Sequence, residues 1–121
     1  MRTALEQQFH SGTNTPAWPR VLSVSAGFTY AYDLSRPAGA RISRMVLHGR
    51  PLTDEATVRV ALSNYLAGGG DNFTVFAQAP ALWSGGQDLD ALEAYFRTYG
   101  PVAPPSVNRI TRSAQAMESN P

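Results

Sequence analysis

The 121-residue chain has no cysteine, which removes disulfides, thiolate nucleophiles and cysteine metal sites together. Histidine is nearly as scarce. His10 and His48 are the only two, too few to build a dinuclear metal centre with carboxylates. Neither sign of charge is in surplus, since ten basic and nine acidic residues leave a net charge of +1. These charges are spread along the chain without the basic stripe that a phosphate backbone requires, so no nucleic-acid partner is expected. No apolar run approaches the ~18 residues that would suggest a membrane span. The segment from Met1 to Phe9 carries an acid and two glutamines where a secretory signal peptide needs an apolar stretch. Ser23, Ser25 and Ser63 lack the histidine and aspartate partners of a nucleophilic triad.

What is present describes an ordered chain. Hydrophobic residues make up 43% and charged residues 16%, which suits a single globular domain rather than a disordered segment. Leu5 and Phe9, one turn apart with Gly12 beyond them, predict the end of a helix over residues 3–9. Strict alternation from Leu22 through Val24, Ala26, Phe28 and Tyr30 to Tyr32 predicts a long strand with one apolar face, bulged at Gly27. A turn at residues 33–39 leads into a second strand over 41–47, and the two pair naturally as an antiparallel hairpin. Val58, Val60 and Leu62 predict a third strand that delivers the chain into a glycine-rich loop. Residues 74–76 leave that loop as either an extended or a short helical segment. Asp88 reads as an N-cap for a helix whose stripe is Leu89, Leu92, Phe96 and Tyr99, stopped by Gly100-Pro101. Residues 107–110 read as an edge strand, and residues 113–121 as a frayed, disordered tail. The sum is an α+β domain over residues 1–112, with a mostly antiparallel sheet and helices packed on one face.

The loop itself reads Asn64-Tyr65-Leu66-Ala67-Gly68-Gly69-Gly70-Asp71-Asn72-Phe73. Glycines allow positive φ and a close approach of ligand to backbone. Tyr65 offers a flat face for a nucleobase, and Asp71 offers two acceptor oxygens for vicinal ribose hydroxyls. On composition alone, a glycine-rich turn with its tyrosine in the core is the simpler alternative. Trp18 and Trp83 read as caps over a core edge rather than ligand contacts. Arg36 and Arg41 read as solvated surface cations.

Four stretches in register resemble the C-terminal domain of the 5′-nucleotidase and UDP-sugar hydrolase family. They are residues 58–73 around the loop, residues 24–33 with 35–41, Gly49-Arg50-Pro51-Leu52, and Asp88-Leu89-Asp90-Ala91-Leu92. The similarity runs from about Leu5 to Ile110. It implies an N-terminally truncated domain, because in the family a strand and loop carrying a second base-sandwiching aromatic precede this region. The resemblance also implies the roles. Tyr65, where the family usually has phenylalanine, would stack on the base, and Asp71 would accept from the ribose. Gly69, Gly70 and Asn64 complete the substrate-binding set. Asn72 stands where glycine is usual, and asparagine tolerates the left-handed backbone expected there.

The implied activity is hydrolysis of a nucleoside monophosphate to nucleoside and phosphate, in a periplasmic or secreted enzyme. Its pair of divalent metals would sit on an N-terminal metallophosphoesterase domain that is not in this chain. No catalytic residue and no metal ligand is therefore expected here, and the chain alone should be inactive. Tyr65 with Asp71 does not separate a nucleotidase from a UDP-sugar hydrolase or a cyclic nucleotide phosphodiesterase. The alternative is a non-catalytic binding or assembly module, such as an element-swapping homodimer.

Overall fold

The computed structural model describes residues 1–80 and 83–113. Helix α1 (Arg2–Gln7) opens the chain. It is followed by β1 (Phe28–Tyr32), β2 (Ile42–Leu47) and β3 (Arg50–Pro51). Then come α2 (Asn64–Ala67), a 3-10 turn (Gly70–Asn72), α3 (Thr74–Gln78), α4 (Asp88–Tyr99) and β4 (Ile110–Arg112). The strands form one mixed sheet in the order β3-β2-β1-β4. β1 and β2 pair antiparallel, as do β2 and β3, while β4 lies parallel to β1. The α+β architecture expected from the sequence is the one observed.

The hairpin is built by local chemistry. His48 (φ 51°) and Gly49 (φ 81°) both take positive φ between paired Leu47 and Arg50, the condition for a two-residue turn matched to strand twist. Thr29 faces Val46 while Ala31 faces Ser43, so β2 carries one extra residue at that point. Arg44, at φ 55°, accommodates it. The bulge is therefore in β2 and not at Gly27. The core closes under this sheet from Leu5 and Phe9 of the N-terminal segment with Phe28, Tyr30, Ile42 and Met45.

Three strand expectations change. Only residues 28–32 of the predicted strand over 22–32 are paired, because Gly27 turns at φ 92° and the segment before it meets no strand. Its polar groups are served by side chains instead. The Leu22 N–H donates to Gln8 Oε1 (2.8 Å), and Arg109 Nη1 donates to the Val24 carbonyl (2.8 Å). Residues 58–63 form no strand either. Val58 and Leu62 are half-buried against a groove that the whole run 58–62 lines, Val60 is exposed, and alternation does not supply a hydrogen-bonding neighbour. The edge strand moves to Ile110–Arg112, since the Arg109 carbonyl accepts from Tyr30 N–H (3.1 Å) and brings Ile110 alongside.

The undecided segment after the loop is helical, as α3. Helix α4 forms where expected, with Gln87 rather than Asp88 at the N-cap. None of its residues is buried, and Leu89, Leu92, Tyr95, Phe96 and Tyr99 are all exposed. Helix α1 packs on β2, and α3 packs on α1 and α2. Trp18 and Trp83 are strongly exposed and cap no core edge. Beyond Ser113, the expected tail lies outside the described residues.

Asp33, just after β1, gives a pH prediction. Its Oδ1 accepts from the Ser35 hydroxyl (2.6 Å) and the Ser35 N–H (2.9 Å). The Ser35 hydroxyl bond holds the carboxyl below its ordinary range, against an opposing push from burial; the Ser35 N–H, Arg36 and Arg112 add to the lowering. A pKa lower in the folded state contributes stability that is present above the unfolded value and lost as pH falls through the folded one. Stability measured by denaturant titration is expected to fall below about pH 4, the usual aspartate range. Asp33→Asn should flatten that slope, and an unchanged slope would contradict the assignment.

Candidate functional site

The glycine-rich loop is shaped before any ligand is considered. Ser63 caps α2, its hydroxyl accepting from the Leu66 N–H (3.3 Å). Within this single turn Leu66 faces the groove and Tyr65 faces outward, 60% exposed. The Asn64 carbonyl accepts from the Gly68 N–H (3.1 Å), so Asn64 contributes through its backbone. Gly69 sits at φ 92°, a conformation that favours glycine. Asp71 (φ 54°) and Asn72 (φ 66°) follow in the left-handed region, as expected for Asn72. Phe73 then drops fully into the interior and packs against Phe76 at 5.7 Å, anchoring the far end.

Tyr65 and Asp71 meet directly. The Tyr65 hydroxyl donates to Asp71 Oδ1 (2.9 Å) and accepts from the Asp71 N–H (3.2 Å). The ring lies over Gly70, where a Cβ would stand 2.5 Å from Tyr65 Cε2. The third glycine thus makes room for the loop's own tyrosine. Arg20 reaches in from the preceding segment, its Nη1 3.4 Å from the same Asp71 Oδ1. Gly70→Ala is expected to push the Tyr65 ring off the loop while leaving the fold intact, because the displaced group is an exposed side chain. Loss of the nuclear Overhauser contacts between the Tyr65 ring and residue 70, with an unchanged melting temperature, would show it.

Residues 11–14 form the platform beneath. Ser11 and Asn14 form a small antiparallel bridge. Ser11 Oγ donates to the Asn72 carbonyl (2.6 Å), and Asn72 Nδ2 donates to Thr13 Oγ1 (2.9 Å). Asn14 is buried, and its Nδ2 donates both to the Asp71 carbonyl (2.8 Å) and to the Gln7 carbonyl (3.0 Å). Two consecutive non-glycine residues at positive φ are costly, about 1–3 kcal/mol each, and persist where neighbours over-determine them. Here the carbonyl groups of both are held by side chains of one small turn.

The structure brings Tyr65, Gly69, Gly70 and Asp71 together and leaves Asn64 at the rim. Sequence reasoning missed Arg20, Ser11 and Asn14. They lie 51 to 61 positions from their partners in the loop, in a proline-containing stretch without periodicity, so no pattern marks them. An apolar groove of about 330 Å³ lies behind the loop, lined by Leu5, Val24, Phe28, Val58, Leu66 and Phe76 among others. It includes neither Tyr65 nor Asp71. Among the described residues, no group of three His, Cys, Asp or Glu side chains could hold a metal ion.

Comparisons with known proteins agree on one assignment. Residues 1–78 match the family described as 5′-nucleotidase, C-terminal domain. A 5′-nucleotidase-related protein of Glossina morsitans morsitans is 33% identical over 101 residues, covering 76% of this chain and 18% of that protein. A snake venom 5′-nucleotidase of Gloydius brevicauda is 32% identical over 122 residues, covering 92% of this chain and 21% of that protein. The crystal structure of a 5′-nucleotidase precursor from Thermus thermophilus superposes with a TM-score of 0.66 at 37% identity, covering 74% of this chain and 19% of the other. The chain thus spans about a fifth of the length of these relatives.

Proposed function

The chain belongs to the 5′-nucleotidase C-terminal domain family, and we propose that it is the nucleoside-recognising part of a 5′-nucleotidase-type phosphohydrolase acting on nucleoside monophosphates. One observation carries this reading. A tyrosine ring with one face packed over Gly70 stands beside an aspartate carboxylate held on a left-handed turn. A base would stack on the outer face of Tyr65, and the ribose hydroxyls would donate to Asp71. Stacking is worth about 1–3 kcal/mol per base. The residues of this chain bind and orient the nucleoside. Among the described residues no donor set fits the metal pair that the family resemblance implies, so bond cleavage is assigned to an N-terminal metallophosphoesterase domain of the parent enzyme. A relative found in snake venom supports export of that enzyme. Among the described residues, no helix is long and apolar enough to cross a membrane.

An NMR titration of the chain with adenosine and AMP, without metal, tests the proposal. Selective shifts at Tyr65 and residues 68–72 are expected, and a folded spectrum that no nucleoside perturbs would refute it. Uridine run alongside distinguishes base preference.

A second reading, assembly with another copy, is favoured by α4. Its apolar stripe is exposed while the groove behind the loop is apolar and has Arg59 among its lining residues. Asp88, Asp90 and Glu93 outnumber Arg97 on the helix, so a partner copy's α4 in the groove would meet a complementary charge. Sedimentation analysis is expected to show a dimer that Leu92→Asp dissociates. A monomer at all concentrations excludes this arrangement.

A further inference from the structure

Stacking requires only an aromatic face, so a phenylalanine at position 65 would serve it equally. The hydroxyl of Tyr65 has a different use. It bonds Asp71 at two points, donating to Oδ1 and accepting from the backbone N–H, across six residues of loop. Arg20 approaches the same Oδ1 from a separate segment. One oxygen of the carboxylate is therefore engaged by the protein, and Oδ2 is left as the acceptor for a ligand. Asn14, buried and bonded to the Asp71 carbonyl, fixes the backbone from which this carboxylate projects.

We propose that the Tyr65 hydroxyl and Arg20 are positioning residues that clasp the Asp71 carboxylate to the stacking ring, making base stacking and ribose recognition one coupled event. The inference rests on the nucleoside-binding reading above and goes beyond it. The clasp fixes the carboxylate at a set distance and angle from the ring, as a nucleoside fixes its ribose hydroxyls relative to its base. A ligand that stacks thus finds the ribose acceptor already oriented, with no side-chain freedom left to lose. The ligand class selected is an intact ribonucleoside, with a free 2′,3′-diol, over the deoxy forms and over the free base.

The test compares adenosine with 2′,3′-dideoxyadenosine, which keeps the base and lacks both hydroxyls. Dissociation constants come from NMR titration of the full chain and of Tyr65→Phe, Arg20→Gln and Arg20→Lys. Tyr65→Phe, which removes both bonds of the clasp, should weaken adenosine binding by about three- to tenfold and leave dideoxyadenosine unchanged. Arg20→Gln should lower the adenosine preference by about twofold, as befits a partly exposed ion pair, and Arg20→Lys should retain it. In the unmodified chain that preference should also shrink as salt is raised. An equal change for both ligands in Tyr65→Phe, or a gain in adenosine affinity, overturns the clasp while leaving nucleoside binding in place. If the unmodified chain binds neither ligand, the nucleoside reading falls and the clasp with it.

Discussion

Glu6→Ala is expected to cost the fold about 3 kcal/mol. The side chain is buried at the end of α1, and its carboxylate accepts three backbone N–H groups. Oε1 takes Gly39 (3.0 Å), and Oε2 takes Arg41 (2.8 Å) and Ile42 (2.9 Å). These donors belong to the turn after β1 and the first residue of β2. Bonds to a charged acceptor are worth about 1.5–3 kcal/mol each, but Gly39 is exposed and would regain water. Ile42 is buried and would not, so most of the loss arises there. For a domain of this size, about 3 kcal/mol corresponds to a fall of roughly 10 °C or more in melting temperature. Glu6→Gln keeps one acceptor oxygen, and with Oε2 as the retained position it should lose only about 1 kcal/mol. A melting temperature that Glu6→Ala leaves within a few degrees would show that the turn holds itself.

The second large effect is on binding. Tyr65→Ala removes the stacking surface and the Asp71 clasp together, and adenosine affinity should fall by about 1–3 kcal/mol from stacking alone, between five- and 150-fold. Because Tyr65 is exposed and its two bonds to Asp71 lie at the surface, the melting temperature should barely move. Asp71→Asn is the informative comparison. Asparagine tolerates the same left-handed backbone, so it tests the charge without straining the turn. It should weaken adenosine and spare adenine, whereas Tyr65→Ala should weaken both. Loss of thermal stability in Tyr65→Ala equal to that of Glu6→Ala would instead make the tyrosine a structural residue.

The elements that were legible in advance are those whose signal is local. The opening helix, which ends at Gln7 before Phe9, the hairpin through Phe28–Tyr32 and Ile42–Leu47, and α4 follow from periodicity and turn chemistry. Tyr65, Gly69, Gly70 and Asp71 stood out because an aromatic, glycines and an acid within seven positions have a chemical use together. The two stretches that alternate without pairing share one cause. Residues 22–25 and 58–63 alternate as strands do, yet a strand also needs a neighbour with free N–H and C=O groups. The chain gave those positions Gln8, Arg109 and an open groove instead.

Residue order alone was enough to specify a small α+β chain without cysteine and with a glycine loop presenting one aromatic and one carboxylate. It could not specify what holds that loop. In the folded chain, consecutive side chains fan out from the end of α1 by about 100° per residue, so each reaches a different segment. Glu6 ties the turn before β2, Gln7 bonds Thr74 Oγ1 and the Val75 N–H at the start of α3, and Gln8 bonds Leu22 and Tyr30. Asn14 and Arg20 join Asp71 from more than fifty positions away. Sequence patterns record burial, which depends on one residue's own polarity. Such bonds depend on the positions of two residues at once, and only the closed fold sets both.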